Sequence, residues 1–419
     1  MDSPSPRLQQ LIGEIESNPD AVVQFWEEIT ATGTPLIESD GEHTDRYLVT
    51  FLWRETEPLQ NVTMLEWFSV EDMTLQAKQL RKIEDTDIWY RTLTMAAGLC
   101  TSYRMVPNDS LVNLRGDPNF EERFKNSRID PLNALKTIDN GDESGYENSS
   151  LFILPGAPVY EGIALTEQAP AAEFSEHTIH SHVMDQERRF WLHQPEAGTS
   201  TDWLLIQLDA EMVRESMRFP QIVSVIGTDS TLPSVSTVFV DTSDRAKDLP
   251  CNAEFADFVA DELLPYVCDA LGKEFPSERV IVAGQSYSGL AAAWIGLYRH
   301  DAVGNVLAQS GSFWWWPEYD DDNEDTIIGQ TVRHCWLPTW TSQQPATSTR
   351  FWLEAGILED HTEGKAPSLL TAHRTMRDVL IAKGNDVAYR EYAGGHDLYL
   401  WRGLYLDGIR HLLNRDSSD

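Results

Sequence analysis

The chain has 419 residues, enough for two domains of roughly 100 to 200 residues each. Its composition is 41% hydrophobic with 14 Trp, 13 Tyr and 15 Phe, which excludes disordered, collagenous and low-complexity chains. Against 67 Asp and Glu stand 32 Lys and Arg, a net charge of -35, and such a field repels nucleic acid and anionic lipid, so neither is expected as a partner. The basic residues are 24 Arg and 8 Lys; a carboxylate-rich, lysine-poor surface is what concentrated salt favours, so a salt-rich cytoplasm is expected. No apolar run reaches the ~18 residues of a membrane helix, and the polar start with Pro4 and Pro6 does not resemble an export signal. Cys100, Cys251, Cys268 and Cys335 show neither C-x-x-C nor zinc spacing and are expected to be free, mostly buried thiols.

In chain order, apolar positions between Leu8 and Ile29, broken at Asn18-Pro19, predict one or two short helices. Tyr47 to Trp53, Val62 to Trp67, Ile88 to Thr94 and Leu99 to Val106 are short, β-branched and aromatic, which predicts a small sandwich. The breakers between Pro107 and Glu173 predict loop and linker, with a domain boundary near their end, so that residues 1–165 form the N-terminal domain and 166–419 the second. A hairpin of Thr178 to Val183 and Arg189 to His193 opens that second domain. Trp203 to Leu208, Ile222 to Ile226, Val235 to Val240 and Val280 to Ala283 then read as strands around a helix at Phe255 to Leu271, the alternation of an α/β sheet. The acidic run Tyr319 to Asp325 reads as a solvated loop. His177, His180 and His182 cluster on the hairpin, but no further ligand spacing completes a metal site, and none is expected.

The chemistry is concentrated at Val280-Ile281-Val282-Ala283-Gly284-Gln285-Ser286-Tyr287-Ser288-Gly289, followed by Leu290-Ala291-Ala292-Ala293. An apolar strand, a tight turn of small residues around one Ser, and an alanine-rich helix make a nucleophile elbow, which exposes the Ser286 oxygen. Ser288 stands where G-x-S-x-G has its last Gly. A base and an acid are required downstream, in the order nucleophile, acid, histidine. His396 follows the strand-like Val387 to Tyr392 through Gly394-Gly395, whereas the other histidines after Ser286 lie in helical or polar surroundings. The acid should leave the strand Phe351 to Leu358; Glu359 and Asp360 both follow it, with Glu359 preferred and Asp360 the alternative.

These landmarks resemble the enterochelin (ferric enterobactin) esterase family, α/β hydrolases of the esterase D-like type that open ferric catecholate siderophores in the cytosol. The likeness is carried by Val282-Ala283-Gly284-Gln285-Ser286, Leu249-Pro250-Cys251-Asn252, Gln309-Ser310-Gly311-Ser312-Phe313-Trp314-Trp315, Leu353-Glu354-Ala355-Gly356-Ile357, and Gly394-Gly395-His396-Asp397 with Trp401-Arg402. Phe51-Leu52-Trp53-Arg54 and Asp130-Pro131-Leu132-Asn133 resemble the family's N-terminal domain, so nearly the whole chain is covered. The resemblance implies an α/β-hydrolase catalytic domain behind a smaller N-terminal β-sandwich, with Ser286, His396 and Glu359 as the triad. Ser288 and Ala210 depart from the family, which usually has Gly at both places.

The oxyanion hole is expected from the N–H of Tyr287 and one from the Asp209 to Glu211 turn, at Ala210. A ferric tris-catecholate is a trianion, so an acidic protein needs a local cationic, aromatic pocket for it; Arg245 and Arg402 are the candidate cations. Trp53, Trp314, Trp315, Trp316 and Trp401 are candidates to stack catechol rings, although three consecutive Trp more often pack a core. The expected function is hydrolysis of the trilactone esters of a catecholate siderophore in the cytoplasm, without a resident cofactor, iron arriving inside the substrate. The alternatives are a carboxylesterase for another aromatic acyl ester and a non-catalytic siderophore-binding protein.

Overall fold

The computed structural model describes residues 4–41, 43–66, 68, 78–112, 119–138, 148–195, 201–242, 244–317, 335–360 and 368–414. The acidic run Tyr319 to Asp325, the turn Asn140-Gly141, Trp67, His334 and His361 lie outside these residues. Residues up to Val159 together with Ala393–Asp397 form one compact unit, and those from Tyr160 onward, without that segment, form another.

In the first unit, alternation along each strand sends side chains to two faces. Strands β1 (Leu36–Ser39), β2 (Arg46–Arg54), β4 (Arg81–Lys82) and β5 (Ile88–Ala96) make one sheet in the order β1-β2-β5-β4; β3 (Val62–Leu65), β6 (Cys100–Pro107) and β7 (Ser150–Ile153) make another in the order β3-β6-β7. Leu52 and Tyr90 bury against Leu8, Leu11, Phe25 and Ile29 of the helices Pro6–Ile15 and Ala21–Thr32. Phe51, on the opposite face of β2, lies 4.8 Å from the Tyr103 ring of β6 and 5.6 Å from that of Phe152 of β7, so the two sheets form a sandwich. Strand β7 and the helices Phe120–Asn126 and Glu161–Gln168 correct the expectation of loop and linker between Pro107 and Glu173. A four-residue strand is too short for its period to show. It is held instead by distant partners: the Asp130 N–H donates to Ser150 Oγ at 2.7 Å, and Asn133 Nδ2 to the Leu151 carbonyl at 2.9 Å.

The second unit is built on eight strands, β8 (Ser175–Ser181), β9 (Gln186–His193), β10 (Thr201–Leu208), β11 (Ser234–Val240), β12 (Val280–Gln285), β13 (Asn305–Gln309), β14 (Arg350–Gly356) and β15 (Val387–Tyr392). Their order is β8-β9-β11-β10-β12-β13-β14-β15; β8, β9 and β11 pair antiparallel, and β11 onward is parallel. The chain winds one way from β10 to β11 and the other way to β12, so the loops leaving the carboxyl ends of β10 and β12 flank a switch point, where α/β sheets open a crevice.

Ile222 to Ile226, expected as a strand, lies in the helix Phe219–Thr228, which crosses from β10 to β11. Phe219, Ile222, Val223, Val225 and Ile226 are all buried there, and a helix apolar on most sides has the same short apolar run as a buried strand. The expected helix at Phe255 to Leu271 runs from Ala253 to Leu271 and widens to a π-turn at Phe258–Leu263. Pro265 follows at once; its ring would meet the Asp261 carbonyl of a regular α-turn, and widening the turn relieves that clash. The helices Glu161–Gln168 and Leu398–Leu413 cross with backbones in contact: a Cβ on Gly162 would lie 2.5 Å from the Gly403 carbonyl oxygen. No helix among the described residues is long and apolar enough to cross a membrane, and the four cysteines are free thiols.

Candidate active site

Ser286 joins β12 to the helix Tyr287–Tyr298 with φ 56° and ψ -121°, a backbone that L-residues hold only where the surroundings enforce it. The enforcement is visible on each side. A Cβ on Gly284 would sit 2.2 Å from the Ser288 carbonyl oxygen, and one on Gly289 would sit 2.9 Å from Gly311 Cα. The Ser286 N–H donates to the Gln309 carbonyl at 3.1 Å, and its carbonyl accepts from the Ser312 N–H at 3.0 Å. Ser288, the departure from the usual motif, accepts from the Gln285 N–H at 2.9 Å through Oγ and donates to the Gln285 carbonyl at 2.7 Å. Close packing against the next strand is left to Gly289.

Across the switch point Asp209 takes a left-handed conformation, φ 66°, and starts the turn Ala210–Val213. Its two carboxylate oxygens accept from Thr242 Oγ1 at 3.0 Å and Arg245 Nε at 2.6 Å. Sequence reasoning treated Asp209 only as part of a loop and missed this pairing. Arg245 lies over the Tyr287 ring at 5.5 Å and keeps 35% of its side chain exposed, so it both orders the turn and presents positive charge beside the elbow. Tyr287 and Ala210 each occupy the first position of a helical turn, where a backbone N–H has no intrahelical acceptor.

Glu359 is fully buried, and its Oε2 accepts from Ser310 Oγ at 2.9 Å and the Gly356 N–H at 2.6 Å. Asp360 is exposed and accepts from Ser368 Oγ at 2.6 Å; Ser368 caps the helix Leu369–Lys383. Ser310 Oγ also meets Tyr392 OH at 2.9 Å, and Trp401 Nε1 reaches both, at 2.9 and 3.0 Å. Burial, reinforced by the Glu359 charge, pushes the Tyr392 phenol well above its ordinary value, so it stays protonated. Trp401 is buried in this cluster rather than presenting an open stacking face. Arg402 is likewise fully buried, 3.5 Å from Glu167 and 5.2 Å over the Tyr399 ring. Trp314 and Trp315 are half-buried, Trp314 lying 6.1 Å from Tyr287, whereas Trp316 is buried and Trp53 is half-buried on β2 in the first unit.

His396 is half-buried in the segment Ala393–Asp397, four residues past the end of β15. Asp397 anchors it: its Oδ2 accepts from Thr101 Oγ1 at 3.0 Å and the Ser102 N–H at 2.6 Å. On the hairpin, His180 Nδ1 is 3.1 Å from Glu187 Oε1, and His177 sits between Ser175 and Tyr266. No group of three or more metal-ligating residues lies together among the described residues.

A parallel sheet with a switch point, and a strained serine at the carboxyl end of a central strand, define a serine hydrolase of the α/β-hydrolase class. The family model described as "Enterochelin esterase, N-terminal" matches residues 48–163, and that described as "Putative esterase" matches 181–412. The chain belongs to this enterochelin esterase family and is a carboxylic ester hydrolase. It is 29% identical to the iron(III) enterobactin esterase of Dickeya dadantii, over 99% of this chain and 98% of that one. It is 25% identical to the iron(III) salmochelin esterase of Escherichia coli, over 97% and 96%. Among solved structures, ferric enterobactin esterase from Salmonella typhimurium superposes with a TM-score of 0.71 at 26% identity, over 93% of this chain and 98% of that one. The enterobactin esterase of Shigella flexneri, crystallised in the presence of enterobactin, gives 0.70 at 26%, over 93% and 97%.

Proposed function

We propose that this protein hydrolyses the ester bonds of a catecholate trilactone siderophore, taken as its ferric complex in the cytoplasm, through an acyl intermediate on Ser286. The observation that carries the chemistry is the enforced elbow at Ser286; the substrate class follows from relatives with that activity in their names, aligned over nearly the full chain. His396 takes the Ser286 proton as Oγ attacks the lactone carbonyl, then returns it to the departing hydroxyl, and next activates water to release the acid. The backbone N–H groups of Tyr287 and Ala210 receive the oxyanion. Glu359 holds the imidazole. Its burial and two fixed donors suit that role better than the exposed, cap-bound Asp360. Arg245 supplies the cation for the anionic substrate and half-buried Trp314 and Trp315 supply aromatic surface, whereas buried Trp401 and Arg402 act behind the site. Opening the ring removes the preorganisation with which the chelator grips iron.

The test is mass analysis of cyclic catecholate siderophores, with and without iron, for linear trimer, dimer and monomer. Ser286→Ala is expected to lose at least about 10³ in rate while still binding the substrate, and Glu359→Gln to lose more than Asp360→Asn. Turnover of Ser286→Ala within about tenfold of the parent removes the nucleophile assignment.

A further inference from the structure

Three strands meeting beneath the elbow carry a glutamine at their carboxyl ends: Gln207 in β10, Gln285 in β12 and Gln309 in β13. Glu354 of β14 and Arg390 of β15 continue the line, because Gln285, Gln309, Glu354 and Arg390 are successive register partners. Gln207, Gln285, Gln309 and Glu354 have no exposed surface. Their side chains form one row. Tyr405 OH donates to Gln207 Oε1 at 2.9 Å, Gln207 Nε2 to Gln285 Oε1 at 3.0 Å, and Gln285 Nε2 to Gln309 Oε1 at 2.9 Å. Gln309 Nε2 donates to Glu354 Oε1 at 2.6 Å, while Glu354 Oε2 accepts from Arg390 Nη2 at 2.7 Å and Trp352 Nε1 at 3.1 Å. Further amide hydrogens are satisfied by the carbonyls of Leu208 at 2.8 Å and Trp401 at 2.9 Å.

The row has a direction, and chemistry imposes it. An amide can be turned over, but Glu354 accepts only: burial pushes its carboxyl pKa up, and the Arg390 charge and the donors of Gln309 and Trp352 hold it down as the carboxylate. Gln309 must therefore offer its amino group to Glu354 and its carbonyl to Gln285, and the same choice passes to Gln207 and Tyr405. The aligned dipoles reinforce one another in a dry interior. Stability alone does not call for such a row, since apolar side chains of equal volume often serve a core as well. Its location points to another purpose: Gln285 is bonded to Ser286, and the Gln309 carbonyl accepts the Ser286 N–H.

We propose that the Gln207–Gln285–Gln309–Glu354–Arg390 row is the positioning device of the nucleophile, with Glu354 setting its direction and Gln285 and Gln309 transmitting it to Ser286. These are positioning residues. They touch no substrate, so their loss acts on kcat and leaves KM in place. The inference rests on Ser286 being the nucleophile.

Glu354→Gln keeps the volume and gives the row two directions. Asn305→Leu is the matched control: Asn305 is a buried amide at the opposite end of β13, donating to the carbonyls of Glu278 and Val280 at 3.1 Å each. For each protein, kcat and KM on a neutral aryl ester, the Tm, and the rate at which a fluorophosphonate labels Ser286, located by peptide mass, are measured. Glu354→Gln is expected to lower kcat and the labelling rate at least about tenfold with KM within about twofold. Asn305→Leu is expected to lower the Tm and leave kcat and labelling within about twofold. Should Glu354→Gln fail to fold, Gln309→Met breaks the row at its centre and is read in the same assays. Parent-like kcat and labelling in the row variants, or losses that follow the Tm equally in variant and control, overturn the proposal while Ser286 labelling in the parent stands. Labelling of the parent at another residue instead overturns the nucleophile reading, and the inference with it.

Discussion

At the scale of single residues, Ser288 shows how an apparent defect in a motif becomes a structural part. Glycine at this place would restore the common pattern, yet it would leave the Gln285 N–H without the Oγ acceptor it has at 2.9 Å. An orphaned buried donor costs about 1–3 kcal/mol, and glycine adds about 0.5–1 kcal/mol through its freedom in the unfolded chain. Ser288→Gly is therefore expected to destabilise the fold by about 2 kcal/mol in urea titration; an unchanged midpoint would show that water or a neighbour replaces the hydroxyl. The elbow was legible because strand, turn and helix adjoin in sequence. Glu359 and Asp360 were legible as the two carboxylates after β14, but what sets them apart, the bond from Ser310 and the bond from Ser368, comes from residues 49 and 8 positions away. Asp209 was not legible at all, since its meaning depends on Arg245 and Thr242 from the far side of a crossover.

At the scale of elements, the π-turn at Phe258–Leu263 sets Glu262 where it caps the hairpin of β8 and β9. Its Oε1 accepts from the N–H groups of His182 at 2.8 Å and Val183 at 3.2 Å, and Oε2 accepts from Ser181 Oγ at 2.5 Å. The hairpin is one edge of the sheet, and Glu262 gathers its turn. Glu262→Ala is expected to cost about 1–3 kcal/mol and to speed hydrogen exchange in β8 and β9 ahead of the parallel strands. Uniform exchange across the sheet would show that the cap is dispensable. The hairpin was read from two short strands flanking a polar turn, and β10, β11, β12, β14 and β15 from their short apolar runs. The helix Phe219–Thr228 was misread because five apolar residues in a short run fit either period, and only the crossover it makes decides between them. The row beneath the elbow left a trace that was overlooked: a glutamine near the carboxyl end of three of the four apolar strands from β10 to β13. Polar groups do not recur at one level of a buried sheet unless they satisfy one another.

For the whole molecule, the excess of carboxylates sets the conditions of stability. Arginines do pair locally, as Arg299 does with Asp257, Asp261 and Asp301 and Arg374 with Glu391, but a net charge of -35 leaves most of the repulsion unanswered. Screening shortens the reach of that repulsion from about 10 Å at 0.1 M salt to about 3 Å at 1 M. The Tm is expected to rise as potassium chloride increases from 0.05 to 1 M (roughly that span of Debye lengths), each kcal/mol of relieved repulsion adding roughly 2 to 4 °C. A falling Tm would mean that the arginine pairs outweigh the excess charge. The crossing of Gly162 and Gly403 has a consequence for synthesis. A chain leaves the ribosome amino end first, so all eight strands of the second unit emerge before the helix Leu398–Leu413 that lies across Gly162. That late helix brings Tyr405 OH to Gln207 and the Trp401 carbonyl to Gln309. Until it is translated, the helix Glu161–Gln168 lacks this crossing partner and the glutamines beneath Ser286 lack two of their partners. The glutamine row beneath Ser286 is thus completed late, by a helix translated after all eight strands.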